Sequence, residues 1–296
     1  MDHKAPHRMT HQLPDIENIF YTVRMNSQRL DLAFSKTVWD YYRHNQRSLP
    51  WRDKLSPYRV LVSEFMLQQT QVTRVEPKFI QWMKQWPDLD SAANASTEDI
   101  LKAWQGLGYN RRALYLQAAL RRIQKEFNAE VPNMAEQLIS LPGIGVNTAA
   151  AIQVYAFNQP VVFIETNIRQ VFIHHFFSDQ TGIEDKQIVP LVEAHIDHNN
   201  PREWYWALMD YGSHLKKVVG NVTRQSQHYK RQSRFEGSHR QLRSLLLSVI
   251  LEKAGLSMEM AYQVGSQWPR KQVARAIEEL LSEGFIVLEA GALQSV

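Results

Sequence analysis

The feature that most constrains this chain is Leu141-Pro142-Gly143-Ile144-Gly145, set between two segments of helical character. Met134 to Ser140 runs into it, and a helix restarts near Val146 with Asn147-Thr148-Ala149. Two glycines let another backbone come close, and the new helix opens with N–H groups that lack partners inside it. Together these make a grip for phosphate that does not depend on base sequence. An ordinary glycine turn between packed helices shows the same residues. The five-residue block in its helical setting is more specific than a lone Gly-x-Gly.

Most of the remaining chain also reads as helix. Leu30 to Asn45 has helical spacing, and Pro57 to Val72 reads as one helix with proline suited to its first turn. Thr97 to Gln105 follows an N-cap at Ser96, and Asn110 to Phe127 is long and basic on one side. Thr166 to Phe177, Asp185 to His198 and Pro201 to Gly212 follow. In the last, Trp204, Ala207, Leu208 and Tyr211 form one apolar stripe. Residues 213 to 237 are polar, basic and poor in large aliphatics, which suits a linker. A compact unit comes next: the stripe Leu242, Leu245, Leu246, Val249 and Ile250; a short helix capped by Ser257; a third helix from Pro269; then the apolar run 285–288 and a turn at Gly291. Three helices and a small hairpin fit a winged helix, whose third helix reads DNA in some versions and which binds proteins in others.

Composition narrows the chemistry. Hydrophobic residues are 44% of the 296, enough for a core. No run reaches the ~20 apolar residues of a membrane span, and the polar start, with His3, His7 and His11, lacks the apolar centre of a secretory signal. The expectation is a cytoplasmic, nucleoid-associated protein. There are no cysteines, so these residues offer no disulfide, thiol nucleophile or cysteine-ligated metal. The net charge of +4 is modest. It is unevenly spread: from Lys216 to Arg243 there are eight cations against one acid, Glu236, which favours a polyanion partner over a plain solvated face. His174-His175 and His195-x-x-His198 have no acid arrangement typical of a metal site, and no metal is expected.

Five ordered blocks carry a resemblance. Leu49-Pro50-Trp51-Arg52 and Pro57-Tyr58 precede Ser63-Glu64-Phe65-Met66-Leu67-Gln68-Gln69-Thr70; then come Trp104-x-Gly106-Leu107-Gly108-Tyr109 with Arg112-Ala113, the hairpin, Ile164-Glu165-Thr166-Asn167, and Met209-Asp210-Tyr211-Gly212. In order and spacing this resembles the MutY-like adenine DNA glycosylases of the helix–hairpin–helix superfamily, from about Ser35 to Gly212. The resemblance implies a mostly α, two-lobed glycosylase fold followed here by a small winged-helix-like domain. Its boundaries are a flexible polar tail over 1–33, the glycosylase domain over 34–222, a basic linker over 223–237 and the winged-helix-like unit over 238–296. Within the glycosylase domain one lobe covers about 59–164, and the second joins 34–58 to 165–222.

The resemblance also implies roles. Glu64 stands where the family has its catalytic acid, and a shielded carboxyl there would keep its proton and protonate a poor leaving group. Glu165 replaces the family's aspartate, which faces the developing oxocarbenium ion. Asn167 would orient a carboxylate or water, though a helix cap explains it nearly as well. Trp51, Arg52 and Asp210 resemble pocket residues for a flipped adenine, with Asp210 accepting from its amine; Trp51 also fits core packing. Gln69 resembles the wedge that enters the base stack, flanked by Gln68 and Thr70. Tyr109, Leu141, Gly143, Gly145, Asn147, Thr148, Lys216 and Lys217 are the remaining expected DNA contacts.

Three departures stand out. The family's four cluster-binding cysteines are missing from Ser213 to Arg234, so the expected cofactor set excludes a [4Fe–4S] cluster and leaves room only for a monovalent cation at the hairpin. The family's second tyrosine after Gly-Leu-Gly is Asn110, and its usual C-terminal domain is replaced. Asn147 stands where bifunctional relatives carry a Schiff-base lysine. The expected protein is therefore a monomeric, monofunctional enzyme acting on duplex DNA with a mismatch or lesion. A glycosylase for another lesion, or a catalytically silent DNA-binding protein, are the alternatives.

Overall fold

A computed structural model describes residues 32–229, 234–253 and 255–296. Most of the proposed N-terminal tail, together with Lys230 and Arg231, lies outside these residues. The chain opens with α1 (32–45) and α2 (Pro50–Asp53). A seven-helix body follows: α3 (Pro57–Leu67), α4 (Val72–Gln85), α5 (Leu89–Ala93), α6 (Thr97–Trp104), α7 (Arg111–Glu126), α8 (Ala135–Ser140) and α9 (Val146–Phe157). Then come α10 (Thr166–Phe176), α11 (Asp185–Ala194), α12 (Pro201–Val218) and a 3₁₀ turn at Val222–Gln225. The C-terminal unit holds α13 (His239–Glu252), β1 (Leu256–Ser257), α14 (Met258–Val264), α15 (Arg270–Ser282), β2 (Ile286–Glu289) and β3 (Ala292–Ser295), its antiparallel strands ordered β1-β3-β2.

Local chemistry accounts for many of these boundaries. Ser56, Ser96, Ser238 and Ser257 each accept a backbone N–H at the start of α3, α6, α13 and α14. Pro57 and Pro201 occupy first-turn positions, where the missing N–H costs nothing. Asn158 ends α9 in the left-handed conformation, which asparagine tolerates.

Two lobes are evident. In one, α3 packs on α4, α7 and α9, around the fully buried Phe65, Met66, Phe79, Trp82 and Trp104. In the other, α10 packs on α11 and α12, and Phe34 of α1 sits among Phe172, Phe176, His195 and Trp204. His195 and His175 are thus packed against aromatic rings, and His175 also meets the Tyr211 hydroxyl at 3.0 Å. Gly212 lets α12 approach α10: a Cβ there would lie 2.2 Å from the Asn167 carbonyl oxygen.

Four expectations are corrected. The helix foreseen over 57–72 breaks at Gln68–Gln71, with Gln69 at φ +55°, and a separate helix, α4, follows. The physical cause is remote: the buried Arg112 guanidinium donates to the carbonyls of Phe65 and Met66 and to the Thr70 hydroxyl, taking over the end of α3. Next, α2 does not belong to the second lobe alone. Trp51 packs edge-on to Phe79 of α4, at 5.6 Å between centroids, while Arg52 reaches Asp210 of α12. Third, α12 runs on to Val218, and the 3₁₀ turn after it packs on α10 with Ser226 bridged to Ile183, so the reading of 213–237 as linker starts too early. Last, α11 stops at Ala194, short of the expected His198.

The winged-helix unit touches the first lobe. Arg240 Nη1 donates to the Tyr109 hydroxyl at 2.8 Å, and Arg111 pairs with Glu283 at 3.1 Å. Glu279 and Glu283 at the end of α15 are tied to Arg243.

Candidate active site

A cavity of about 690 Å³ opens between the lobes. Of the residues singled out from sequence, Trp51, Arg52, Glu64, Gln68, Gln69, Thr70, Asn147, Thr148, Glu165, Asn167 and Lys216 line it. Leu141, Gly143 and Gly145 lie on the hairpin outside it, Lys217 is exposed in the last turn of α12, and Tyr109 lines a neighbouring cavity.

Two carboxyls line the cavity, one from each lobe. Glu64 projects from the last turn of α3, and Glu165 is the N-cap residue of α10. Each shows a part of its surface to the cavity and is otherwise enclosed. Burial pushes Glu64 well above the usual carboxylate range, and the facing charge of Glu165 pushes it further. Burial also raises Glu165. Two raised carboxyls in one cavity resist being ionised together, and the greater rise is at Glu64. The N-terminus of α10 favours the ionised form at Glu165, and the C-terminal end of α3 favours the neutral form at Glu64.

Tyr155 of α9 is a cavity residue that sequence reasoning did not single out. Burial first, then the charges of Glu165 and Glu64, raise its hydroxyl far above 10, so it stays a neutral donor. It sits in an apolar, alanine-rich helix and reads from sequence as ordinary core. Trp206 was missed for a similar reason. It lies parallel to Tyr155 (14° between planes, 6.4 Å between centroids) and under the Arg52 guanidinium at 5.1 Å.

The expectation that Asp210 contacts a base is contradicted. Its side chain is 0% exposed and does not line the cavity. One oxygen accepts from Arg47 Nε (2.6 Å) and Arg52 Nη2 (2.9 Å); the other accepts from the Arg47 backbone N–H (3.0 Å) and Arg52 Nη1 (2.9 Å). Four donors saturate it, and Asp210 positions Arg52. The Arg52 Nε–H, by contrast, is buried at the cavity wall with no partner in the protein. Asn167 lies inside α10 and is not its cap. Asn147, in the first turn of α9, donates weakly to the Ile164 carbonyl at 3.4 Å.

At the hairpin the two glycines differ. Gly143 has φ +79°, and a Cβ would come within 2.7 Å of the Phe65 ring; Gly145 has open space. Gly143 is therefore required by packing, and Gly145 leaves the α9 N-terminus accessible. Among the described residues no cluster of three potential metal ligands occurs. The segment where the family holds its iron–sulfur cluster offers no cysteine and does not fit that group. Among the described residues, no helix is long and apolar enough to cross a membrane.

Comparison with known proteins agrees with this architecture. Residues 62–193 match the HhH-GPD superfamily of base excision DNA repair proteins. The adenine DNA glycosylase of Mycolicibacterium smegmatis is 31% identical over 269 residues, covering 83% of this chain and 90% of that protein. That of Buchnera aphidicola is 34% identical over 187 residues, covering 62% of this chain and 52% of that protein. The chain spans about half the length of several curated relatives that it matches. A thermostable thymine-DNA glycosylase shares the fold, with a TM-score of 0.56 at 21% identity over 63% of this chain and 88% of that one. On the M. smegmatis alignment and the superfamily match, the chain belongs to the adenine DNA glycosylase family of helix–hairpin–helix base excision repair proteins.

Proposed function

We propose that this protein is a monofunctional DNA glycosylase that removes adenine mispaired with 8-oxoguanine or guanine. The observation that carries the reading is the carboxyl pair Glu64 and Glu165 in one cavity between the lobes, both with raised proton affinity and Glu64 the more so. Glu64 gives its proton to the departing adenine, whose neutral form is a far better leaving group. Glu165, ionised, faces the oxocarbenium ion that forms as the bond breaks. The Tyr155 hydroxyl donates to the carboxylate, and Asn167 orients water that completes hydrolysis. Trp51 offers the flipped base a stacking surface, beside the Arg52 guanidinium that Asp210 holds in place.

Gln69, at the tip of the break between α3 and α4, enters the stack where the base has left. The α9 N-terminus with Asn147 and Thr148, and the cations Lys216 and Lys217, hold the phosphates on either side. With Asn147 where a Schiff base would form, strand cleavage is not part of the reaction. The partner is duplex DNA with a mismatch or lesion, the working unit is a monomer, and the setting is the cytoplasm, at the nucleoid. No iron–sulfur cluster takes part; a monovalent cation at the hairpin carbonyls is the one ion the reading admits.

The test uses purified protein and labelled duplexes carrying adenine opposite 8-oxoguanine, guanine, cytosine or thymine, with uracil and hypoxanthine controls. Cleavage at the adenine that requires alkali is the expected result. Nicking without alkali, or excision of another base only, overturns the reading.

A further inference from the structure

One face of α12 is given over to the two stretches of chain that cross between the lobes. Arg202, Trp206 and Asp210 recur at i, i+4 and i+8, with Tyr205 beside them. Asp210 binds Arg47 and Arg52, on the crossing that leads into α3, and Trp206 lies under the Arg52 guanidinium. Arg202 and Tyr205 hold the other crossing, residues 158–165, which runs from α9 to the N-cap of α10.

Arg202 stands in the first turn of α12 and closes the end of α9 from across the lobes. The last carbonyls of a helix, and its first N–H groups, have no partners inside that helix. Arg202 Nε donates to the Tyr155 carbonyl at 2.7 Å, and Nη2 donates to the Ala156 carbonyl at 3.1 Å. In return the Asn158 side chain accepts the Arg202 backbone N–H at 3.1 Å. The guanidinium also brings positive charge to the negative end of α9. A planar fork on two carbonyls restrains rotation as well as separation, which a single bond does not. Close by, the Tyr205 hydroxyl donates to the Val161 carbonyl at 2.9 Å, and its ring stacks on Phe163 at 4.4 Å between centroids. Neither Arg202 nor Tyr205 lines the cavity.

The carbonyl that Arg202 grips belongs to Tyr155, whose side chain lines the cavity and feels the charges of Glu165 and Glu64. The crossing that Tyr205 holds ends at Glu165 itself, while Glu64 comes from α3, in the same lobe as α9. The angle at which α12 meets α9 therefore sets where Glu165 stands relative to Glu64 and Tyr155, and how far water is kept from all three. We infer, resting on the glycosylase reading for the chemistry, that Arg202 is a positioning residue for this site and fixes the angle between the lobes through the end of α9.

The test compares Arg202→Ala with Arg121→Ala in the full chain. Arg121 makes the same kind of grip, on the Ala93 and Ala95 carbonyls at 3.1 Å each, but within the first lobe and away from the cavity. In Arg202→Ala, single-turnover excision of adenine is expected to slow by about tenfold to a hundredfold, with affinity for a duplex carrying a tetrahydrofuran abasic analogue within about threefold. Arg121→Ala should match the unaltered protein in both. The second readout does not depend on activity. It is an NMR titration of isotope-labelled glutamate carboxyls, with the resonances assigned through Glu64→Gln and Glu165→Gln. In the unaltered protein and in Arg121→Ala both carboxyls should titrate above the ordinary range. In Arg202→Ala, water admitted between the lobes should bring them down towards it. Loss of a cation alone would push them up, so the direction separates repositioning from charge. Arg202→Lys keeps the charge but lacks the fork; it is expected to fall between, and it carries the same readouts if Arg202→Ala does not fold. Excision by Arg202→Ala equal to that by Arg121→Ala, or carboxyl titrations that stay in place or rise, overturns the inference. Absence of excision by the unaltered protein on every duplex counts only against the glycosylase reading, and the carboxyl titration then decides this one alone.

Discussion

Asp210→Asn is the perturbation whose outcome separates a positioning role from a base-contacting one. Each Asp210 oxygen accepts from two donors, one on Arg47 and one on Arg52. Asparagine keeps the shape and one acceptor oxygen. Whichever way the amide sits, its NH₂ faces two donors, so two charge-assisted hydrogen bonds are lost. At about 1.5–3 kcal/mol each, the loss is about 3–6 kcal/mol. Breaking a buried pair by neutralising one partner costs about 3–5 kcal/mol, which agrees. Arg47 is 31% exposed and can turn to water, so the lower end applies. A loss of about 3 kcal/mol lowers Tm by roughly 6–12 °C in a domain of this size. The assay is a thermal melt followed by circular dichroism, with single-turnover excision on adenine and hypoxanthine duplexes at a temperature where the variant is folded. Arg52, released from its anchor, is expected to slow both substrates alike. A Tm within 2 °C of the unaltered protein, with adenine slowed and hypoxanthine spared, would refute the reasoning. That result would show Asp210 accepting from the exocyclic amine, which hypoxanthine lacks.

Further outcomes test the site and its supports. Glu64→Gln is expected to cut single-turnover excision by about 10²–10⁴ while duplex affinity, read by anisotropy, stays within a few-fold. Because burial raises both carboxyls, kcat/KM should fall with rising pH along a limb well above the ordinary carboxylate range, and Glu64→Gln should remove that limb from whatever activity remains. The sign for stability follows from the same shift: a carboxyl whose folded pKa is raised binds more protons folded than unfolded. Its contribution is therefore most favourable below about 4.5 and declines as pH rises through the folded value, and denaturant melts of the unaltered protein minus those of the double Gln variant should show that slope. Gly143→Ala forces a Cβ to within 2.7 Å of Phe65 in a left-handed backbone and should cost about 1–3 kcal/mol in chemical denaturation, while Gly145→Ala should stay within about 0.5 kcal/mol and weaken only DNA binding.

How far the sequence reaches depends on the range over which each feature is decided. Serine caps, first-turn prolines and apolar stripes act within a few residues, so α3, α6, α13 and α14 begin where local chemistry says they should. The break at Gln68–Gln71 carries no such mark. No glycine or proline stands in it, and the left-handed turn at Gln69 is held by Arg112, more than forty residues on. The same limit governs the site. That Glu64, Glu165 and Asn147 meet in one cavity follows from blocks arranged in family order. That Asp210 is already spent on Arg47 and Arg52 does not, because a carboxylate near the end of an apolar stripe looks the same whether its partners are a base or two arginines 158 and 163 residues away.

Tyr155 and Trp206 show the converse case, in which a functional surface is written in residues that also suit a core. Both lie on helix faces whose neighbours are apolar, and only the meeting of α9 with α12 turns part of that surface towards Glu64 and Glu165. A buried tyrosine beside two carboxyls is not neutral filling: its hydroxyl must find an acceptor, and the carboxyls must find a donor. Burial in the same cavity is what raises the proton affinity of Glu64 and Glu165 and keeps the Tyr155 hydroxyl neutral. The packing that hides Tyr155 from a reading of the sequence is thus the same packing that makes the carboxyl pair reactive, and a Tyr155→Phe change should lower excision more than it lowers Tm.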